Sequence, residues 1–175
     1  MKLIKKEKPG VDSEARWLKK GKKLHFGYKK HTLTDKDGLV REIQTTSANV
    51  HDSKGLKPLL KKAGKKNLAD RLLADKGYQV PDNKKLLKEL GIKNRIQHKA
   101  YRNRPLTEWQ KIFNRLISRL RYVVERTFGG MKRWFGAGKA RYKGLAKVHG
   151  QHVMEAIAYN LYRAPGLIMS NCIEK

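Results

Sequence analysis

Between Trp109 and Phe128 the apolar residues fall at Trp109, Ile112, Phe113, Leu116, Ile117, Leu120, Val123, Val124 and Phe128. This i, i+3, i+4, i+7 spacing predicts one long amphipathic helix, and any fold must be built around it. At about 100° per residue the stripe centres near Leu120, and Glu125 points away from it. Arg121 and Lys132 project within roughly 40° of Glu125 if the helix runs that far. Two readings of Glu125 follow. It is a surface acid paired with Arg121 at i−4, contributing tenths of a kcal/mol, or it is a functional acid set on a basic face.

The charge balance bears on that choice. The 175 residues hold 42 Lys and Arg against 15 Asp and Glu, a net charge of +27. Self-repulsion on this scale weakens a compact fold unless a polyanion relieves it, and nucleic acid is the expected partner. A hydrophobic content of 39% excludes a disordered basic tail. The length fits one domain with a full core. The single cysteine, Cys172, excludes an internal disulfide and a cysteine-based zinc site, which suits a reducing cytoplasm. No apolar run is long enough to span a membrane, and MKLIKKEKPG lacks a signal-peptide core, so a soluble, cytoplasmic protein is expected.

Taken in order, residues 1–23 read as a basic arm or loop broken by Pro9-Gly10, with Trp17 as the only large anchor. KLHFGYKKHTLTDKDGLVREIQTT predicts a hairpin turning at DKDG, with Gly38 at positive φ. Asp52 or Ser53 caps a short helix carrying Leu56, Leu59 and Leu60 and ended by Gly64. His51 beside that cap reads as structural rather than as a metal ligand. Leu72-Leu73-Ala74 is expected to be a buried central strand with Asp75 at its carboxyl end, the edge where ligands bind in open α/β sheets. The competing reading makes Asp75 the start of a turn.

A helix over PDNKKLLKELG, a short strand IKNRIQ and a basic loop HKAYRNRPL follow, and Thr107 caps the long helix. Beyond Gly136, GAGKARYKG is cationic, with Tyr142 free to stack on a base or to pack. No strand leads into it and no Lys-Ser/Thr pair closes it, so it is not a nucleotide loop. A last helix spans about 145–163, with Val148, Val153, Ile157 and Leu161 as core candidates and His149 and His152 expected in solvent.

Strands first and helices later fit an α/β sheet flanked by helices, in which Asp75 and Glu125 converge. Converging carboxylates in so basic a chain point to oxygen ligands for Mg²⁺. Two such ions serve an in-line phosphoryl displacement, while Lys and Arg hold the DNA backbone. Arg121, Lys132, Arg133, Lys139, Arg141 and Lys143 are the candidate DNA-binding residues.

KKGKKLHFGYKKH, TTSANVHD, LADKGY, VERTFGGMKRWFG, ARYKGL and AIAYNLYR occur in this order over nearly the whole chain. Together they resemble the DDE transposases of bacterial insertion sequences, in the branch of insertion sequence five. The resemblance implies a ribonuclease-H-like fold over 24–175 and Mg²⁺-dependent cutting and joining of transposon-end DNA, with a homo-oligomer assembled on that DNA. It makes Asp75 the second acid and Glu125 the third, with Arg121 and Lys132 as the cations of the family's signature. Ser118 stands where that signature usually has Tyr.

One departure concerns the first acid. In the family it lies on a Val-Asp-Ala/Ser/Thr-like first strand well upstream of HFGYK. Here Asp12 sits in Val-Asp-Ser close to Trp17, a region that resembles the loop after that strand, and it is the weaker candidate. The chain therefore resembles the C-terminal part of a transposase without the first strand. A decayed copy, a misjudged start and a second reading frame all fit, as does a non-catalytic DNA-binding module.

Overall fold

The computed structural model describes residues 10–173. Residues 1–9 of the expected arm lie outside them. The rest of that segment is not a plain loop: Arg16–Lys20 is a strand, β1, pairing antiparallel with the first half of β2 (Lys23–Thr34). Sequence pattern missed β1 because both faces of so short a ribbon face solvent, so no apolar alternation marks it. The second half of β2 pairs antiparallel with β3 (Val40–Ser47), as the hairpin reading requires. Gly38 takes φ +87° at the turn, where a Cβ would also crowd Thr127 Oγ1.

Helix α1 (Ser53–Ala63) ends at Gly64, which adopts φ +71°. Strand β4 (Arg71–Ala74) pairs in parallel with β5 (Lys93–Ile96), and α2 (Pro81–Glu89) connects them with Pro81 in its first turn. Among the described residues β4 pairs with β5 alone, and Leu72, Leu73 and Ala74 are half-buried. It is therefore not the expected buried central strand. The fold is mixed α/β, with a three-stranded antiparallel sheet and a separate two-stranded parallel one.

The long helix is α3 (Glu108–Phe135), and a reciprocal capping box starts it: Thr107 Oγ1 accepts from Gln110 N, and Gln110 Oε1 accepts from Thr107 N. Its stripe divides in two. Ile117, Thr127, Gly130 and Met131 are buried, but Trp109, Ile112, Leu116 and Leu120 are exposed. Periodicity shows that residues share a face; it does not show what covers it. The second half of α3 is covered by α4 (Leu145–Ile173), which crosses at Gly130, where a Cβ would meet the Tyr159 ring at 2.7 Å.

Helix α4 runs past the expected end at residue 163 and through Pro165. Proline removes the hydrogen bond to the Leu161 carbonyl, which lies on an exposed turn where water can replace it. Two core candidates on α4 are exposed, Ile157 and Leu161, because the face that packs on β3 is Val148, His152, Ala156 and Tyr159. His152 is thus buried, not solvated, and its Nδ1 lies 2.8 Å from Thr45 Oγ1. His149 is half-buried against the same hydroxyl, at 3.1 Å.

Two apolar clusters result. Val40, Ile43, Met131, Ala156 and Tyr159 bind the hairpin to α3 and α4. Leu56, Leu60, Leu87, Ile92 and Ile96 bind α1 and α2 to the parallel pair. The candidate site lies where these two units meet. No helix among the described residues is long and apolar enough to cross a membrane.

Candidate active site

Asp75 is exposed directly after β4, and its side chain accepts from Lys76 N at 2.6 Å. It is the N-cap of a 3₁₀ turn, Lys76–Tyr78, so Asp75 both stands at the end of a strand, though not a buried central one, and starts a turn. Two side chains fix that turn. His31, buried on β2, holds Nδ1 3.0 Å from the Tyr78 hydroxyl and Nε2 3.1 Å from Thr46 Oγ1. Asn83 donates to Tyr78 O at 2.9 Å and to Ser53 O at 3.2 Å. Gly55 admits the imidazole, because a Cβ there would stand 2.5 Å from His31 Nδ1. Burial keeps both members of the Tyr78–His31 pair uncharged. Burial first, then the carboxylates of Asp52 and Asp75, push the Tyr78 phenol up to about 12, against Arg121. Burial drives the His31 pKa down despite Asp52, so the imidazole stays neutral.

Glu125 is exposed on α3 and has no ion-pair partner among the described residues. The expected i−4 pair with Arg121 is not made, because Arg121 Nη1 donates to Gln97 Oε1 at 3.3 Å. Gln97 follows β5, and its backbone N–H donates to Ala74 O at 3.1 Å, extending the parallel ladder to the residue before Asp75. Its side-chain amide donates to Ser118 Oγ at 2.7 Å and to Asn114 O at 3.3 Å. Asn114 in turn exchanges two bonds with the His98 backbone, at 2.7 and 3.0 Å. The β4–β5 pair is therefore fastened to α3 through Gln97 and through the His98–Asn114 bonds, and Glu125 stands one helical turn beyond Arg121. Ser118 makes a contact with Gln97 of its own.

The other five candidate cations are all exposed. Lys132 and Lys139 line a cleft of about 720 Å³ with Lys29, Asp52 and Tyr78. Arg133 is exposed on α3. Lys143 donates to Gly10 O at 2.6 Å, and the Arg141 guanidinium lies over Gly136, the left-handed C-cap of α3. Asp12 is engaged by its own set of hydrogen bonds, one of them from Tyr28, which lines the same cleft. Its Oδ1 accepts from Glu14 N and Ala15 N, and its Oδ2 accepts from the Tyr28 hydroxyl at 2.7 Å and Gly144 N at 3.0 Å. Burial pushes its pKa up, but these bonds outweigh that and hold the carboxyl below its usual range.

Sequence reasoning missed the place of Asp52. It makes no side-chain cap on α1; its Oδ1 pairs with Lys29 Nζ at 2.9 Å, and its Oδ2 lies beside Gly77. A cap signal and a site signal look alike in NVHDS, and only the approach of the Gly77 turn separates them. Among the described residues no group of three His, Cys, Asp or Glu is placed to hold a metal ion. Asp75 and Glu125, neither of them ion-paired among the described residues, are nevertheless hard oxygen donors, a donor type that fits Mg²⁺.

Residues 2–161 match the sequence pattern of the family described as "Transposase DDE domain". The chain belongs to the DDE transposase family. It is 44% identical over 156 residues to the transposase for insertion sequence element IS1106 of Neisseria meningitidis serogroup B, a match covering 89% of this chain and 53% of that protein. The chain thus spans about half the length of this curated transposase relative. No solved structure matches it. Asp75 directly follows β4, and Glu125 lies within α3.

Proposed function

We propose that this chain supplies two acids, Asp75 and Glu125, to a transposase active site that cuts and joins transposon-end DNA, in the branch of insertion sequence five. The observation that carries the reading is the Gln97 bridge, which ties the backbone before Asp75 to the helix turn before Glu125. Asp75 and Glu125 would hold Mg²⁺, which when bound neutralises charge developing on the phosphate. Arg121, Lys132, Arg133 and Lys139 would hold the DNA backbone, and Ser118 and Gln97 would keep α3 in register. The fold is read as ribonuclease-H-like, and the protein as a cytoplasmic one that oligomerises on DNA.

The first acid of the triad is assigned outside this chain, with Asp12 as a structural staple. The four hydrogen bonds that occupy both Asp12 oxygens support that assignment. The net charge of +27 favours a second reading, a non-catalytic DNA binder. One experiment separates them. The chain is incubated with Mg²⁺ and a duplex carrying the element's terminal repeat, alone and with a polypeptide supplying the upstream acid-bearing strand. Cleavage is expected only in the mixture and is lost in Asp75→Asn and Glu125→Gln. Cleavage surviving either substitution would contradict the catalytic reading, and none in the mixture would favour the binding module.

A further inference from the structure

β1 and the first half of β2 form a two-stranded ribbon, Arg16–Lys20 against Lys23–Gly27, that enters neither core cluster. In β1 only Leu18 is half-buried, and Lys23 to Phe26 of β2 are all exposed. An isolated ribbon of this kind is marginal in water. The register sets Trp17 opposite Phe26 and Lys19 opposite Leu24, so one face carries three large apolar side chains that are 62%, 45% and 64% exposed for Trp17, Phe26 and Leu24. The Trp17 and Phe26 rings lie 5.1 Å apart. Residues 16–26 hold five cations, Arg16, Lys19, Lys20, Lys22 and Lys23, and no acid. An apolar protein surface would cover the rings but leave the charge, and a second copy of a +27 chain would add to it. A polyanion relieves the repulsion.

We propose that this ribbon is a DNA-contacting arm that lies in the major groove of duplex DNA. The inference rests on the DNA-binding part of the function proposed above. Two strands about 4.8 Å apart fit a groove about 12 Å wide. The lysines then reach phosphates on either side, and the Trp17, Leu24 and Phe26 face meets base edges and thymine methyl groups. Position supports the same occupant. Lys19, Lys20 and Phe26 line the cleft that also holds Lys132, Lys139 and Tyr78, so one duplex can pass from the ribbon to the turn that follows Asp75.

The test is binding of the full chain to a mixed-sequence duplex, followed by fluorescence anisotropy across a salt series. K19Q/K20Q/K22Q/K23Q should lower the slope of log affinity against log salt by about 0.9 for each phosphate no longer neutralised, about 2–4 in total. A matched variant, K57Q/K61Q/K84Q/K85Q, which removes four exposed lysines of α1 and α2, should keep the slope. Trp17→Ala should weaken duplex binding several-fold with the slope unchanged, and thermal midpoints should show each variant folded. Equal slopes for the ribbon variant and the wild type would overturn the proposal. So would a Trp17→Ala variant that binds DNA normally but changes sedimentation mass, which would put a protein on this face. Loss of slope in K132Q/K139Q alone removes the ribbon and keeps the DNA reading, whereas a wild type with no salt-dependent binding removes both.

Discussion

Gln97 Oε1 accepts from Arg121 Nη1 at 3.3 Å, and the Gln97 amide donates to Ser118 Oγ at 2.7 Å. The half-buried Gln97 side chain thus shares with the Asn114–His98 bonds the registry between the β4–β5 pair and α3. Gln97→Ala removes these bonds and leaves their partners near solvent, so a loss of about 1–2 kcal/mol is expected in chemical denaturation. A change of only a few tenths would mean that the bridge does not hold the helix.

The contact between Gly55 and His31 is tighter. Gly55→Ala places a methyl 2.5 Å from His31 Nδ1, and backbone on α1 and β2 leaves little room to give. A loss of about 1–3 kcal/mol is expected from overpacking, with the Tyr78 hydroxyl released from its histidine. Thermal unfolding of Gly55→Ala beside Tyr78→Phe checks this. If Gly55→Ala unfolds no earlier than Tyr78→Phe, the imidazole is not packed as described.

Lys30 and Glu155 form an ion pair that is buried on both sides. Glu155→Ala leaves a lysine charge without its partner, a change that typically costs about 3–5 kcal/mol. The double variant Lys30→Met, Glu155→Leu should recover most of that loss. A double variant as unstable as the single one would show that the pair is more than a charge match.

Acid should loosen α4. Lys62 Nζ can only donate to His149 Nε2, at 3.3 Å, so His149 Nδ1 carries the proton toward Thr45 Oγ1, and the Thr45 hydroxyl donates to His152 Nδ1. Burial first, then Lys30, holds His152 down to about 4 against Glu155, and burial with Lys62 lowers His149 against Glu42. Both folded-state values lie below the unfolded value near 6.5. The unfolded chain therefore binds more protons below that pH, and stability is full above pH ~6.5 and falls toward pH ~4. Denaturation midpoints between pH 7.5 and 4.5 should fall, and His152→Asn should flatten the fall. A midpoint independent of pH in that range would contradict the tautomer chain.

Much of the fold was legible because local chemistry decided it. The Thr107 cap, Gly38 at the hairpin and Gly64 after α1 each answer a backbone requirement that a few neighbouring residues express. What escaped depended on distant partners. Nothing near His152 announces Thr45, more than a hundred residues earlier, and nothing near Asp52 announces Lys29. Arg16–Lys20 gave no strand signal because solvent covers both faces, and the exposed Trp109, Ile112, Leu116 and Leu120 share their periodicity with buried neighbours. Of the candidate site, the acids were readable as residue types, Asp75 at a strand end and Glu125 within a helix, but the Gln97 bridge between their elements was not.

The central claim is that Asp75 and Glu125 belong to one cation site. Fe²⁺ in place of Mg²⁺, with ascorbate and peroxide, cuts the backbone next to wherever it binds. The full chain should be cut both near residue 75 and near residue 125, and Asp75→Asn and Glu125→Gln should each abolish both cuts. Cutting near one residue only, or a cut near 75 that persists in Glu125→Gln, would contradict a shared site.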